Sequence, residues 1–347
     1  MTSVVFLSVI ALFRNFVPMV EGFADNGSFL SFASAIRHWN FQGLAVKAFW
    51  GLSYAMAGVS FITRLSDLGA LLLICYGAGL ATIVLAYRLW GGWIAGFFAV
   101  LNFDWMQRLF LGGSEPLFMA LVLGAFLAAR KQRWVLAALL ASLGTTVRPV
   151  GIFALAGIGL ALLLKRDLRN FSLATLTGLI VGGLYALPLA LYFQTPLANV
   201  NQYQQADWEG GHLLTFPFHA IIKSTLSDHA PITNLILTWA WILFVLAGLL
   251  VLIFGKSCRD AWQNRSAEMI FAVTYVSFLF TYNSPHWIRG SFPRYSIAVL
   301  PLVLWALITW LPKDRRLLWG LAVISPVLAA CSAIGIKNVA SAVRHLL

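Results

Sequence analysis

A chain of 347 residues that is 60% hydrophobic and only 10% charged lacks the balance of a soluble domain, in which about 25% of residues carry charge. Apolar runs of about 20 residues recur along it, enough to cross a bilayer core of about 30 Å, so the composition excludes a soluble protein and predicts an all-α polytopic membrane protein. The formal charge of +12 is spread in small basic clusters between apolar runs, which is the pattern of the positive-inside bias and not of a nucleic-acid surface.

In chain order, the first run is MTSVVFLSVIALFRNFVPMV. It has no basic leader and no small-residue cleavage site, so it reads as a retained span over 4–20 and not as a cleaved signal. Next comes EGFADNGSFLSFASAIRHW, residues 21–39, with two acids, Glu21 and Asp25. Within it Phe29, Phe32, Ala33, Ile36 and Trp39 recur at helical spacing, with Ser28, Ser31, Arg37 and His38 off the stripe. That pattern predicts a short amphipathic helix lying in the interface.

The segment AVKAFWGLSYAMAGVSFIT, 45–63, is long enough to span but is studded with Gly51, Ser53, Tyr54, Gly58, Ser60 and Thr63. It reads as an interfacial or re-entrant helix. Further spans are expected at about 68–87, 93–110, 115–129, 134–147, 151–164, 171–192, 233–254, 267–283, 294–311 and 317–335, giving about 10–12 transmembrane helices. The expected organisation is a single integral membrane domain, 1–347, with a first outer loop at 21–67, a large outer loop at 193–232 and a short one at 283–295.

Charge orients this map. ARKQR, KRDLR, GKSCRDAWQNR and PKDRR each hold three Lys or Arg and fall on one side. The later loops of the other side hold five, namely Arg108, Arg148, Lys223, Arg289 and Arg294. The richer side is expected in the cytoplasm, with the N-terminus. Eight of the twelve acids then lie on the outer face, where any chemistry is expected. Three cysteines without paired spacing give neither a disulfide framework nor a metal site. No P-loop or HExxH element stands in a supporting context, which argues against an ATP-driven pump or a metallohydrolase.

Several outer residues suit chemistry. Asp25, half shielded by an amphipathic helix, fits a general base, and it equally fits an N-cap or Asx-turn. Asp104 and Glu115 flank the loop NFDWMQRLFLGGSEP and could place an acceptor hydroxyl. Ser114 and Glu115 also read as a helix start. Arg148 in TTVRPVG, and Arg289 and Arg294 in HWIRGSFPR beside His286, suit a phosphate, or else snorkel to headgroups. Tyr203 and Trp208 in NVNQYQQADWEGGH suit sugar rings, or else belong to a solvated loop.

A first-loop carboxylate followed by interfacial helices and many spans resembles the GT-C class of membrane glycosyltransferases. Within that class, residues 112–155, with GGSEP opening one span and TTVRPVG closing the next, resemble the PIG-V-like mannosyltransferase group. KAFWGLSYAMAGVSFI (47–62) and FPRYSIAVLPLVLW (292–305) are similar to two further elements of that group. The resemblance implies an inverting transfer of mannose or a similar hexose from a polyprenyl-phosphate donor to a glycan, lipid or protein acceptor at the outer face. It places Asp25 at the catalytic acid, Ser114 and Glu115 at the second-loop pair, and Arg148 and Arg294 near the donor phosphate. No metal is required. The group's Trp-Asp is Ala24-Asp25 here, which leaves sugar and acceptor open.

Asn26-Gly27-Ser28 also forms a glycosylation sequon. A glycan there would obstruct the base, which points to a bacterial inner membrane with the site facing the periplasm. A transporter, a lipid flippase, or an inactive relative acting in envelope assembly are the rival expectations.

Overall fold

The computed structural model describes residues 1–13, 16–41, 48–206, 212–227, 231–284, 287 and 291–335. In chain order the helices begin with α1 (Thr2–Phe13), α2 (Phe16–Glu21), α3 (Asn26–His38), α4 (Gly51–Thr63), α5 (Asp67–Trp90), α6 (Gly92–Leu101) and α7 (Phe103–Leu111). There follow α8 (Glu115–Arg130), α9 (Trp134–Val147), α10 (Ile152–Leu164), α11 (Leu168–Phe193), α12 (Ala198–Ala206) and α13 (His219–Ser227). The last are α14 (Ile232–Phe254), α15 (Arg259–Asn264), α16 (Ser266–Thr281), α17 (Ser291–Ser296), α18 (Leu300–Ala306) and α19 (Arg315–Ile334). Among the described residues the β-structure amounts to one isolated bridge, Leu214 to Tyr282. The protein is an all-α membrane protein.

Among the described residues four helices, α5, α11, α14 and α19, are long and apolar enough to cross a membrane, and the bent pair α7 and α8 makes a fifth if taken as one span. The other segments expected to span form shorter apolar helices or are interrupted. The expected 93–110 span breaks at Asn102, whose Oδ1 accepts from Trp105 N at 2.9 Å and so starts α7. A single capping side chain inside an apolar run converts a span into two helices. The expected 294–311 span likewise divides into α17 and α18, with Pro301 in the first turn of α18.

The chain forms two compact units, one of residues 1–44, 52–120 and 311–347, the other of residues 45–51 and 121–310. In the first, α1 and α6 pack on α19, and α5 packs on α6 and α7. Gln107 Nε2 donates to the Ala329 carbonyl at 2.9 Å, tying α7 to α19. The amphipathic α3 has Phe29, Phe32 and Ala33 buried, as its stripe predicts. Trp39 leaves the stripe and is 70% exposed, because it caps α3 with a left-handed backbone (φ +50°) that turns its side chain off the helix face. Arg37 meets Asp67 at 2.8 Å, and Ser60 Oγ donates to the same carboxylate at 3.0 Å, joining α3, α4 and the start of α5.

In the second unit α10 packs on α16, α11 on α9 and α14 on α18. Small residues set these distances. A Cβ on Gly157 would stand 2.6 Å from the Ala267 carbonyl oxygen, so α10 and α16 touch backbone to backbone there. The short segment before α4 belongs to this unit. Trp50 is fully buried edge-on to Phe193, and Asn199 Nδ2 donates to the Ala48 carbonyl at 2.8 Å.

Candidate functional site

The first unit carries a sharp elbow. α7 and α8 meet at 108° across Gly112 to Ser114. A broken helix exposes carbonyls that lipid cannot satisfy, so protein must. Three of them are met by side chains, and a fourth side chain reaches a carbonyl in the first turn of α8. Asn26 Nδ2 donates to Leu111 O at 2.7 Å, Tyr76 Oη to Phe110 O at 3.4 Å, Cys75 Sγ to Gly113 O at 3.3 Å and Thr82 Oγ1 to Pro116 O at 3.4 Å. Gly112 makes the turn possible, with φ +99° and Asn26 Nδ2 only 2.8 Å from where a Cβ would sit.

The elbow gathers charge. Glu115 opens α8 and is 2% exposed, Arg108 is 7% exposed, and Arg108 Nε stands 3.9 Å from Glu115 Oε1. A Cβ on Gly113 would lie 2.8 Å from Glu115 Oε2 and 2.7 Å from Arg108 Cδ, so the diglycine lets the pair close over it. Ser114 is buried beside it, and Asp104 is half-buried one helical turn before Arg108 on the same face of α7. Glu115 is therefore a buried member of an ion pair as well as a helix-start acid. A charge removed from water is tolerated when a counter-charge accompanies it.

The Asp25 turn meets this elbow. The guanidinium of Arg108 lies over the Phe23 ring at 4.7 Å. Asn26, fully buried, donates both to Leu111 O and to Val20 O, each at 2.7 Å. With both donors of its amide committed inside, Asn26 has no room for a glycan, and the sequon is a packing residue. Asp25 itself occupies the N-cap of α3, but its side chain makes no cap hydrogen bond and is exposed, not half shielded. Ala24 beside it adopts φ +49°, a conformation that L residues other than Asn and Asp rarely take.

The second unit carries the cations. Arg148 ends α9 with an extended backbone (φ −143°, ψ 130°) before the Pro149–Gly151 turn. Its guanidinium lies 5.9 Å from the centre of the Tyr295 ring. Tyr295 follows Arg294 on α17, and its carbonyl accepts from Tyr275 Oη at 2.6 Å. Trp287, fully buried, stands edge-on to Tyr282 and Tyr295. Thus Arg148 and the α17 turn of Arg294, far apart in sequence, meet at one aromatic corner. Tyr203 is half-buried on α12 beside Phe49, at 6.1 Å between ring centres. Trp208, His286 and Arg289 lie outside the described residues.

Two residues of the elbow were not singled out from the sequence. Asn26 reads there only as part of a sequon, and Arg108 only as one charge of an outer loop. The available signal was the seven-residue spacing from Arg108 to Glu115 across a Gly-Gly pair, which folds a cation back on an acid once the helix breaks. Among the described residues no cluster of three or more His, Cys, Asp or Glu side chains suits a metal ion.

What the two sites share is an arginine beside a helix break in an apolar scaffold. No curated protein and no solved structure matches the chain. The family model of glycosyltransferase family 87 matches residues 53–285, well over half of the chain. The match takes in Asp104, Ser114, Glu115 and Arg148 and leaves Asp25 and Arg294 outside it. It agrees with the glycosyltransferase expected from the GGSEP and TTVRPVG elements, and the family it returns is not the PIG-V-like group they resemble. On a match of that extent, over a polytopic helical scaffold, the chain belongs to glycosyltransferase family 87.

Proposed function

We propose that this glycosyltransferase moves a hexose such as mannose from a polyprenyl-phosphate donor to a hydroxyl acceptor, with inversion, and that Asp25 is the general base. The observation that supports Asp25 is its position. The exposed carboxylate precedes the buried Asn26, which hydrogen-bonds the elbow holding Arg108 and Glu115. A buried, paired Glu115 is poorly placed to take a proton, whereas an exposed carboxylate held on a fixed turn is well placed.

In the proposed reaction Asp25 takes the proton of the acceptor hydroxyl, whose oxygen attacks the anomeric carbon. The bond from that carbon to the phosphate oxygen breaks, and the polyprenyl phosphate leaves with the electron pair. Arg148 and Arg294 are the cations proposed to hold the departing phosphate. A lipid phosphate is a good leaving group, so neither a strong general acid nor a metal is needed. Tyr203 and Trp208 are proposed to face sugar or acceptor, and His286 and Arg289 to assist at the phosphate. By the positive-inside rule the acidic face looks outward, to the periplasm of a bacterial inner membrane, with the N-terminus cytoplasmic.

The deciding experiment is a mass-spectrometric transfer assay of purified protein against a panel of polyprenyl-phosphate sugars. Asp25→Asn should lower transfer by about 10²–10⁴-fold and leave the protein folded, since an isosteric amide replaces an exposed side chain. Undiminished transfer by that variant would remove Asp25 from the mechanism.

A further inference from the structure

The second unit holds a polar cavity of about 180 Å³ that serves none of the groups above. It lies at the other end of α9 from Arg148, where Trp134 begins the helix. Arg130, Trp134, Lys165, Arg265, Ser266 and Glu268 line it. Three cations face one carboxylate, and that carboxylate is already taken. Arg130 grips Glu268 with a fork, Nε to Oε1 at 2.6 Å and Nη2 to Oε2 at 2.8 Å. A bidentate pair of this kind uses the carboxylate's best acceptor sites.

Arg265 and Lys165 are left over. Among the described residues neither has a carboxylate within 4 Å. Each rests on a ring instead, Arg265 over Trp305 at 5.2 Å and Lys165 over Trp134 at 5.6 Å. Nη1 of Arg265 is buried and has no hydrogen-bond partner among the described residues. Burial, with Arg130 adding repulsion, holds the Arg265 guanidinium below its usual pKa range. The Glu268 carboxylate, gripped by Arg130, offsets this only in part.

The helix that borders the cavity adds to the deficit. α16 starts at Ser266 and runs 16 residues, and no side chain of Arg265 caps it. Its first N–H groups and the positive end of its dipole therefore point to this end of the helix. Gln263 and Asn264 add neutral amide donors on the same wall. Basic residues, a helix N-terminus and amides thus surround a space that would hold roughly six waters at about 30 Å³ each, with the one carboxylate of the lining held by Arg130.

We propose that this cavity binds a phosphate-bearing anion, held by Arg265, Lys165 and the N-terminus of α16. Two sources share that chemistry, the headgroup of an anionic phospholipid and free inorganic phosphate. The cavity stands where the ARKQR, KRDLR and QNR clusters meet, the end that the positive-inside rule assigns to the cytoplasmic leaflet, where anionic headgroups accumulate. The site does not depend on the sugar-transfer chemistry, and its test does not use it.

The test is native mass spectrometry of the purified chain from detergent, after equilibration with phosphatidylglycerol, with phosphatidylcholine, or with inorganic phosphate alone. Retention of phosphatidylglycerol in preference to phosphatidylcholine identifies a headgroup site. An adduct and a rise in melting temperature with inorganic phosphate alone identify a free-phosphate site. In either case Lys165→Gln plus Arg265→Gln should weaken retention about tenfold. Should the double variant fail to fold, Lys165→Gln alone, at an exposed position, should still weaken it measurably. Equal retention of both lipids with no response to phosphate overturns the proposal. So does a folded variant that retains the anion as the parent does.

Discussion

The elbow of the first unit and the aromatic corner of the second both place arginines at a helix break inside an apolar chain, and they neutralise them differently. At the elbow, Arg108 is sunk to 7% exposure against a Glu115 that is 2% exposed. At the corner, Arg148 is half-buried and lies over the Tyr295 ring. The first arrangement opposes charge with charge and shuts water out. The second sets a less buried cation against the quadrupole of a ring. Both cations meet a ring, Arg108 over Phe23 at 4.7 Å and Arg148 over Tyr295 at 5.9 Å, so burial against a carboxylate is what marks the elbow.

The sharpest way to break that distinction is to remove the acid. Glu115→Leu strands Arg108 in a buried site and should cost about 3–5 kcal/mol. The measurement is thermal unfolding in detergent, followed by tryptophan fluorescence. Arg148→Gln, measured alongside, should move stability by no more than about 1 kcal/mol. If Glu115→Leu melts with the parent, the pair is not structural and the contrast between the two sites collapses.

Gly112→Ala probes the same elbow without touching its charges. The residue would have to hold φ +99° and meet Asn26 Nδ2 at 2.8 Å, a strain of about 1–3 kcal/mol. The expected result is a lower melting temperature, with transfer falling as well because Asn26 also anchors the Asp25 turn. A variant as stable and active as the parent would show that the Asn26 bridge is dispensable.

The corner is sharpened by activity. Arg148→Gln should slow transfer about tenfold or more by removing the charge-assisted bonds proposed to the donor phosphate. Arg148→Lys should recover only part, since a point charge replaces a planar fork. Full recovery with lysine would mean that charge alone matters there.

These contrasts also explain what the sequence made legible. Apolar runs and basic clusters announce an all-α membrane protein, and Phe29, Phe32 and Ala33 announce α3, because period and composition are local. Elements such as GGSEP and TTVRPVG pointed to Ser114, Glu115 and Arg148 for the same reason. The elbow itself was hidden. Whether Gly112-Gly113 turns the chain or is merely carried within a span depends on α5, whose Tyr76 and Cys75 lie far from it in sequence and satisfy the broken backbone. Asn26 was hidden too, because a sequon and a buried amide bridge are spelled alike. Trp39 shows the reverse, a residue on the right period that a left-handed cap turns outward.

The smallest effect lies away from both sites, at the start of α11, and it tests whether helix ends outside the breaks behave as ordinary caps. Asp167 is half-buried and caps α11, accepting from Asn170 N at 3.2 Å and from Asn170 Nδ2 at 2.7 Å. These bonds, first the side-chain one and then the backbone one, hold its carboxyl below the usual range. A carboxyl with a depressed folded pKa stabilises the fold at any pH above its unfolded value, about 3.9. That contribution is lost as pH falls through the folded pKa. Asp167→Ala should therefore melt slightly below the parent at pH 7, and the gap should narrow only below about pH 4. A gap that stays constant down to pH 3 would mean that the cap acts through its shape and not its charge. The same pH scan on Glu115→Leu should show a far wider gap at neutral pH, so one experiment ranks an ordinary helix cap against a buried pair.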